Sequence, residues 1–258
     1  MTREKYDIAK VTKWECPEDD DRAIIAMPNL PKPLHGQAPR TLLGTKVWNE
    51  MRNECYEKAN DTCEICGYKP ENMRDRHAHE VYSIDYENGT STFVRTICLC
   101  SRCHVYGIHS GRAITLHKKG NPLFGTQQML DGAENVFRII SEYNADHPDK
   151  PELRAYDTFL DYLKCDDLRE PMEKLIKKYH IKFYTEDKNK LAKWGDWKMI
   201  IGNKEYPTPY EDYQAWEKAM EENNKVDTDR KVTTRFSGGI YDKIDEIIKE
   251  SKANEDND

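Results

Sequence analysis

The sequence has no long apolar run. Across its 258 residues nothing approaches the roughly 18–20 consecutive apolar residues that span a bilayer. The first residues, MTREKYDIAKVTKWECPEDDD, also lack the positive-then-apolar layout of a secretory leader. A soluble, cytoplasmic protein is expected. A positive balance is missing too: 47 Asp+Glu outweigh 40 Lys+Arg, for a net charge of −7. A chain that holds nucleic acid mainly through counterion release is usually basic, so any contact with DNA or RNA has to come from a local patch. No internal repeat is visible. The length fits one or two domains, and 34% charged residues against the usual ~25% points to well-solvated helices and loops.

What is present is concentrated. Of eight cysteines (16, 55, 63, 66, 98, 100, 103 and 165) and eight histidines, five of each lie between Cys63 and His117. An even cysteine count suggests disulfides in a small secreted chain, but this chain is neither small nor visibly secreted. In a reducing compartment two Cys-x-x-Cys pairs more often bind zinc. Cys63-Glu64-Ile65-Cys66-Gly67 and Cys100-Ser101-Arg102-Cys103 are such pairs, 33 residues apart. Each forms a knuckle, and two knuckles complete a tetrahedral thiolate site for structural zinc. Cys16, Cys55 and Cys165 have no such partners, and Cys55 reads as a core residue on a helix face.

Around the knuckles the pattern changes period. Residues 15–40 hold four prolines after the acidic run Glu18–Asp21 and read as an extended arm or irregular loop. From Thr45, Val47, Met51 and Cys55 fall at i, i+4 and i+8, an amphipathic helix leading into the first knuckle. AHEVYSIDYENGTSTFVRTICL reads as two strands joined at Asn88-Gly89. CHVYGIHSGRA reads as a short helix ending near Gly107 or Gly111. Downstream, helices are expected over 126–145, 151–164 and 171–179, the last with Pro171 in its first turn. IKFYTE and WKMIIGNKEY lean towards strand, with a second hairpin at Gly202-Asn203. Thr208-Pro209-Tyr210-Glu211 resembles a capping box that opens a helix to about Asn223. A last amphipathic helix (Ile240, Ile244, Ile247, Ile248) leads to the tail NEDND.

The segment CEICGYKPENMRDRHAHEVYSID…RTICLCSRCHVYGIHSGRA resembles the HNH, or His-Me finger, nucleases. The resemblance covers about residues 45–113, and its most specific features are the two knuckles, His79 on the intervening strand, and Cys103-His104 followed by His109. It implies a ββα unit that binds one catalytic divalent ion, Mg2+ or another, beside a four-cysteine zinc. Cys103 and His104 are adjacent, so on a helix they point ~100° apart and should serve different sites. A simple zinc ribbon, the rival fold, has no use for His79, His104 and His109 together.

By the resemblance, His79, His104 and His109 hold the catalytic ion. Glu80 stands where the family has its general-base histidine, and the orienting asparagine's place falls near Arg95. An unperturbed glutamate at ~4.3 is a weaker base than a neutral imidazole near pH 7. Glu80 is therefore a base only if burial raises its pKa, or else it binds the ion; His77, on the same strand face as His79, is the other candidate base. His104 and His109, five apart, would sit ~140° apart on an ideal helix, a mismatch that a helix loosening after Gly107 would repair. Asn88 reads as a turn residue. Arg95 and Arg102 are candidate phosphate ligands, and His117, Lys118 and Lys119 form a small basic run. The C-terminal aromatics (Tyr179, Phe183, Tyr184, Trp194, Trp197, Tyr206, Tyr210, Tyr213, Trp216) read as core, with Trp194–Trp197 the stretch to check for exposure as a base-stacking surface.

The expectation is thus an α+β protein: an extended arm at 1–44, an HNH-like zinc module at 45–118, a helical region at 119–180 and a small α/β part with an acidic tail at 181–258. Its expected function is metal-dependent hydrolysis of phosphodiester bonds, with DNA ahead of RNA as substrate. The alternative is a catalytically inactive zinc module that docks on nucleic acid or on a protein. Residues 63–119 carry eight Lys+Arg against six Asp+Glu, so the module itself is not acidic.

Overall fold

A computed structural model describes residues 3–229. The expected helix around Ile240–Ile248 and the acidic tail lie outside the described residues. In chain order the regular elements are β1 (Ile8–Val11), β2 (Lys13–Trp14), α1 (Pro39–Leu42), α2 (Gly44–Lys58), β3 (Arg76–Asp85), β4 (Thr90–Cys100), a π-helix (Arg102–Ile108), α3 (Ser110–Lys118) and α4 (Thr126–Asp146). They continue with β5 (Ala155–Tyr156), α5 (Asp166–Lys178), β6 (Phe183–Glu186), β7 (Lys198–Ile201), β8 (Lys204–Pro207) and α6 (Tyr213–Asp229). This is a mixed α+β protein.

The long hairpin β3–β4 is the centre of a five-stranded sheet ordered β2-β3-β4-β7-β8, in which only the β4–β7 pair is parallel. A smaller, all-parallel sheet has the order β1-β6-β5. Both sheets draw strands from several of the segments expected from sequence: β2 comes from the arm, β7 and β8 from residues 181–258. The hairpin turn is held by Asp85, whose carboxylate accepts from the Glu87 and Asn88 backbone N–H groups and from Asn88 Nδ2. Gly89 supplies the left-handed residue (φ +68°). Asn88 is a turn residue, as expected. A bulge between Val81 and Tyr82 leaves Val94 without a cross-strand partner and exposed, which re-aims the strand beyond it.

Several local expectations need correcting. The arm is not simply extended, because 3-10 turns form at Asp21–Ala26 and Lys32–Leu34 and Pro39 opens α1. Proline is compatible with a first turn, and Asp20 caps the Asp21–Ala26 turn through the Arg22 N–H. Residues Ala23–Ala26 are buried. On α2 the buried face is Trp48 and Cys55, whereas Val47 is exposed. The expected helix at 151–164 is β5 followed by a 3-10 turn at Asp157–Lys164. α5 starts five residues before Pro171, which sits inside it. α6 starts at Tyr213, capped by Asp212 accepting from the Ala215 N–H. Thr208 instead donates its hydroxyl to the Pro33 carbonyl.

α4 matches its expected limits. Met129, Ala133, Val136, Phe137 and Ile140 are buried on it at helical spacing and join one apolar core with the hairpin residues Val81, Ile84, Ile97 and Leu99. α4 lies directly against the π-helix: a methyl group at Gly132 would overlap Cβ of Tyr106, and one at Gly107 would crowd Ile25 and Val136. Glycine at these positions lets the two helices approach closely. Of the aromatics flagged for exposure, Trp197 is buried and Trp194 is half-buried, its Nε1 donating to the Tyr210 carbonyl. Among the described residues, no helix is long and apolar enough to cross a membrane.

Candidate metal centre

The two knuckles meet at the base of the hairpin. After α2 the chain turns tightly, with the Gly67 N–H on the Cys63 carbonyl and the Cys63 N–H on the Tyr68 carbonyl. Gly67 adopts φ +70° to allow this. Glu64 then fastens the knuckle to the free edge of β4. Its N–H donates to the Cys98 carbonyl at 2.9 Å, and its carboxylate accepts from the Cys98 N–H at 2.6 Å. Cys100 ends β4 and Cys103 lies in the π-helix.

The sulfurs of Cys63, Cys66, Cys100 and Cys103 all lie within 4.8 Å of one another. Cys66 and Cys100 are 3.7 Å apart, close to the ~3.8 Å edge of a tetrahedron built on ~2.3 Å Zn–S bonds. Their proton chemistry agrees. Hydrogen bonds among the neighbouring thiols pull Cys63 and Cys66 below an ordinary thiol, while the other cysteines and burial push Cys100 and Cys103 well above one. Four thiolates do not fit together in a buried place without a cation. A divalent ion resolves that conflict, so these cysteines could hold a metal ion such as zinc. Cys55 and Cys98, buried nearby, are pushed up to about 11 and about 12, mainly by burial, and behave as inert core thiols.

The second cluster begins at the very next residue of the helix after Cys103. His79 on β3 and His104 and His109 on the helix bring one ring nitrogen each within 4.8 Å of the others. The rings meet edge to face, with centroids 5.2 Å apart for His79–His104, 5.0 Å for His79–His109 and 4.6 Å for His104–His109. The π-helix explains how residues five apart converge. His109 N–H bonds to the His104 carbonyl at 3.0 Å, an i to i+5 bond that makes five residues, not four, a single turn. The loosening therefore begins at Arg102 and not after Gly107, and the helix runs on through Gly111 to Lys118.

His79 Nε2 and His104 Nδ1 are fully buried with no hydrogen-bond partner, and leaving such atoms unpaired costs ~1–3 kcal/mol each. Burial, reinforced by neighbouring imidazoles, holds His79 and His104 well below the ordinary histidine range; burial and then Arg112 bring His109 to about 4. Three neutral imidazoles, two of them with an orphaned nitrogen, are metal-ligand chemistry. With nitrogen donors alone, the set suits a borderline transition ion better than Mg2+, which prefers oxygen.

The remaining predicted site residues are less uniform. His77 stacks face to face on His104 at 4.6 Å, with its Nε2 3.0 Å from Ser101 Oγ, but it does not join the nitrogen cluster. Glu80 is largely buried, and burial raises its carboxyl above the usual range, partly offset by a hydrogen bond from its own backbone and by Arg40. Although strand alternation sends it away from His79, its Oε2 comes within 4.0 Å of His79 Nδ1. Arg95 reaches none of the histidines. It pairs with Asp21 and lies 3.6 Å from Glu64, so its charge is committed within the fold and not offered to a phosphate. His117 is likewise engaged, with Nδ1 2.7 Å from the Phe124 carbonyl and Nε2 3.3 Å from Asp167. Arg102, Lys118 and Lys119 are exposed.

Two features escaped the sequence reading. Nothing in RCHVYGI announces a π-turn, although two glycines in HVYGIHSG hint at irregularity. Asn135 on α4 is buried and donates from Nδ2 to Cys103 Sγ at 3.5 Å, a contact between residues 32 apart that no local pattern encodes. Compared with known protein families, curated proteins and solved structures, the chain matches none of them.

Proposed function

We propose that this protein is a zinc-stapled, divalent-metal-dependent phosphodiesterase of the HNH type, acting on nucleic acid. The reading is carried by one observation: His79, His104 and His109 converge beside the four cysteines, with an orphaned nitrogen on His79 and another on His104. The cysteines would do no chemistry and would fix the hairpin against the helix. The three histidines would hold the second ion, which supplies Lewis-acid charge to a phosphodiester when bound. His109, on the half-buried side of the trio, forms the edge from which substrate would enter. Glu80, whose Oε2 comes within 4.0 Å of His79 Nδ1, would take a proton from an attacking water. His77, braced by Ser101 and stacked on His104, would hold that ligand's ring in place.

A second reading has its own support. His79 is only 5% exposed, and a catalytic ion needs an open coordination position whereas a structural one does not. A zinc protein that docks on nucleic acid or on a protein, without hydrolysis, is the alternative.

The purified protein, incubated with supercoiled plasmid, single-stranded DNA and RNA in magnesium, manganese, zinc or nickel, separates the two. Cleavage lost in a His79→Ala, His104→Ala variant is expected. No cleavage with any ion would leave the binding reading standing.

A further inference from the structure

The contact from α4 to the cysteine quartet has a built geometry of its own. Asn135 is 7% exposed, and its Nδ2 lies 3.5 Å from Cys103 Sγ, within hydrogen-bond range for sulfur. The orientation of its amide is fixed by a third residue. Arg138, which can only donate, approaches Asn135 Oδ1 at 3.3 Å and is itself held by two bonds to Glu142, at 2.8 and 2.7 Å. With the oxygen facing a guanidinium, the NH2 group has to face the sulfur. Gly132, one turn before Asn135, permits the close approach of α4 to the π-helix that makes the contact reachable. The relay Glu142–Arg138–Asn135–Cys103 thus runs from the surface of α4 to the one cysteine that is followed directly by a histidine of the second cluster.

We propose that Asn135 is a positioning residue for the metal at the four cysteines. Its N–H withdraws charge from the Cys103 thiolate and fixes the direction of its lone pairs. Four thiolates around a divalent ion leave a net charge of −2 in a buried place, and an N–H donor to sulfur offsets part of it. Because Cys103 and His104 are consecutive, the same bond holds the start of the helical turn that presents His104 and His109. The inference rests on the cysteine metal site and not on the phosphodiesterase reading, so an inactive enzyme leaves it untouched.

The test uses Asn135→Leu, which keeps the volume and removes the donor, and Arg138→Ala, which frees the amide from the half-exposed end of the relay. Val136→Ala, buried on the same helix but without a bond to sulfur, controls for loosened packing. Zinc transfer to a colorimetric chelator is timed, and the thiolate-to-metal charge-transfer band is recorded after cobalt substitution. Asn135→Leu is expected to release zinc 10- to 100-fold faster and to shift the cobalt band; Arg138→Ala should do both less. Val136→Ala should melt earlier with the band unmoved. A wild-type release rate and band in Asn135→Leu overturn the proposal; if that variant does not fold, the same result in Arg138→Ala overturns it. A protein that takes up neither zinc nor cobalt at the cysteines overturns it together with the site.

Discussion

The cysteine quartet and the histidine trio share one hairpin and one helix, and they are joined through consecutive residues, Cys103 and His104. The quartet comes from two Cys-x-x-Cys segments, each bringing two sulfurs together within four residues. The trio comes from one strand residue and a helix wound to a π-turn, so it exists only where β3 and the π-helix pack together. In the quartet the ligands compete for protons and the ion resolves their charge conflict. In the trio the ligands are already neutral, and what an ion relieves is desolvated, unpaired nitrogen. Two sites a few residues apart should therefore fail in different ways.

The largest expected effect is on the quartet. Cys63→Ser with Cys100→Ser should abolish tight zinc binding and cost several kcal/mol, since structural zinc contributes on the order of 10 kcal/mol where it organises a fold. Atomic absorption and thermal melting with and without chelator would measure both. A wild-type melting temperature in this variant would break the view that the quartet staples the hairpin.

Next comes the packing that both sites depend on. Gly132→Ala puts a methyl group into Cβ of Tyr106 and should destabilise by roughly 1–3 kcal/mol. Binding of a second ion, followed by calorimetry, should weaken as His104 and His109 are displaced. Unchanged stability would mean that α4 and the π-helix are not in contact as described.

The trio itself should behave in the opposite sense to the quartet. In protein stripped of any second ion, His79→Leu removes an orphaned buried nitrogen and should be neutral or stabilising by about 1 kcal/mol. It should also abolish second-ion binding and leave one zinc per chain. Destabilisation by several kcal/mol in urea melts would show that the histidines are structural in the way the cysteines are.

The smallest effect lies at the far end of the same hairpin, away from either ion. The Asp85 carboxyl is brought down to about 2, since its bonds to Lys13 and Asn88 outweigh the opposing effect of burial. A depressed folded pKa means that the contribution is present above the ordinary carboxylate value near 4 and is lost as pH falls towards about 2. Asp85→Ala should cost roughly 1 kcal/mol at neutral pH, and the difference from the parent in urea midpoint should vanish below that window. Neither zinc content nor second-ion affinity should change.

Much of this was legible because it is local. The knuckles are legible from Cys-x-x-Cys spacing, the hairpin from alternation around Asn88-Gly89, and α4 from its apolar period. Local rules misled where tertiary contacts outweigh them. Pro171 reads as a first-turn residue but lies inside α5, and the 151–164 period belongs to a 3-10 turn beside a short strand. Arg95 looks like a free cation in sequence, yet Asp21, 74 residues away, takes it up.

The sequence by itself determined that this chain carries two knuckles of paired thiols on a β-hairpin, because those features depend only on neighbours in the chain. It also determined which histidines were worth watching, though not that they would meet. Tertiary structure alone decided that five residues from His104 to His109 make one turn, that Gly132 brings α4 against that turn, and that Asn135 reaches Cys103. Each of these is a balance of packing and buried hydrogen bonds between segments distant in sequence. No spacing rule records it, because the partner that tips the balance is not in the window being read.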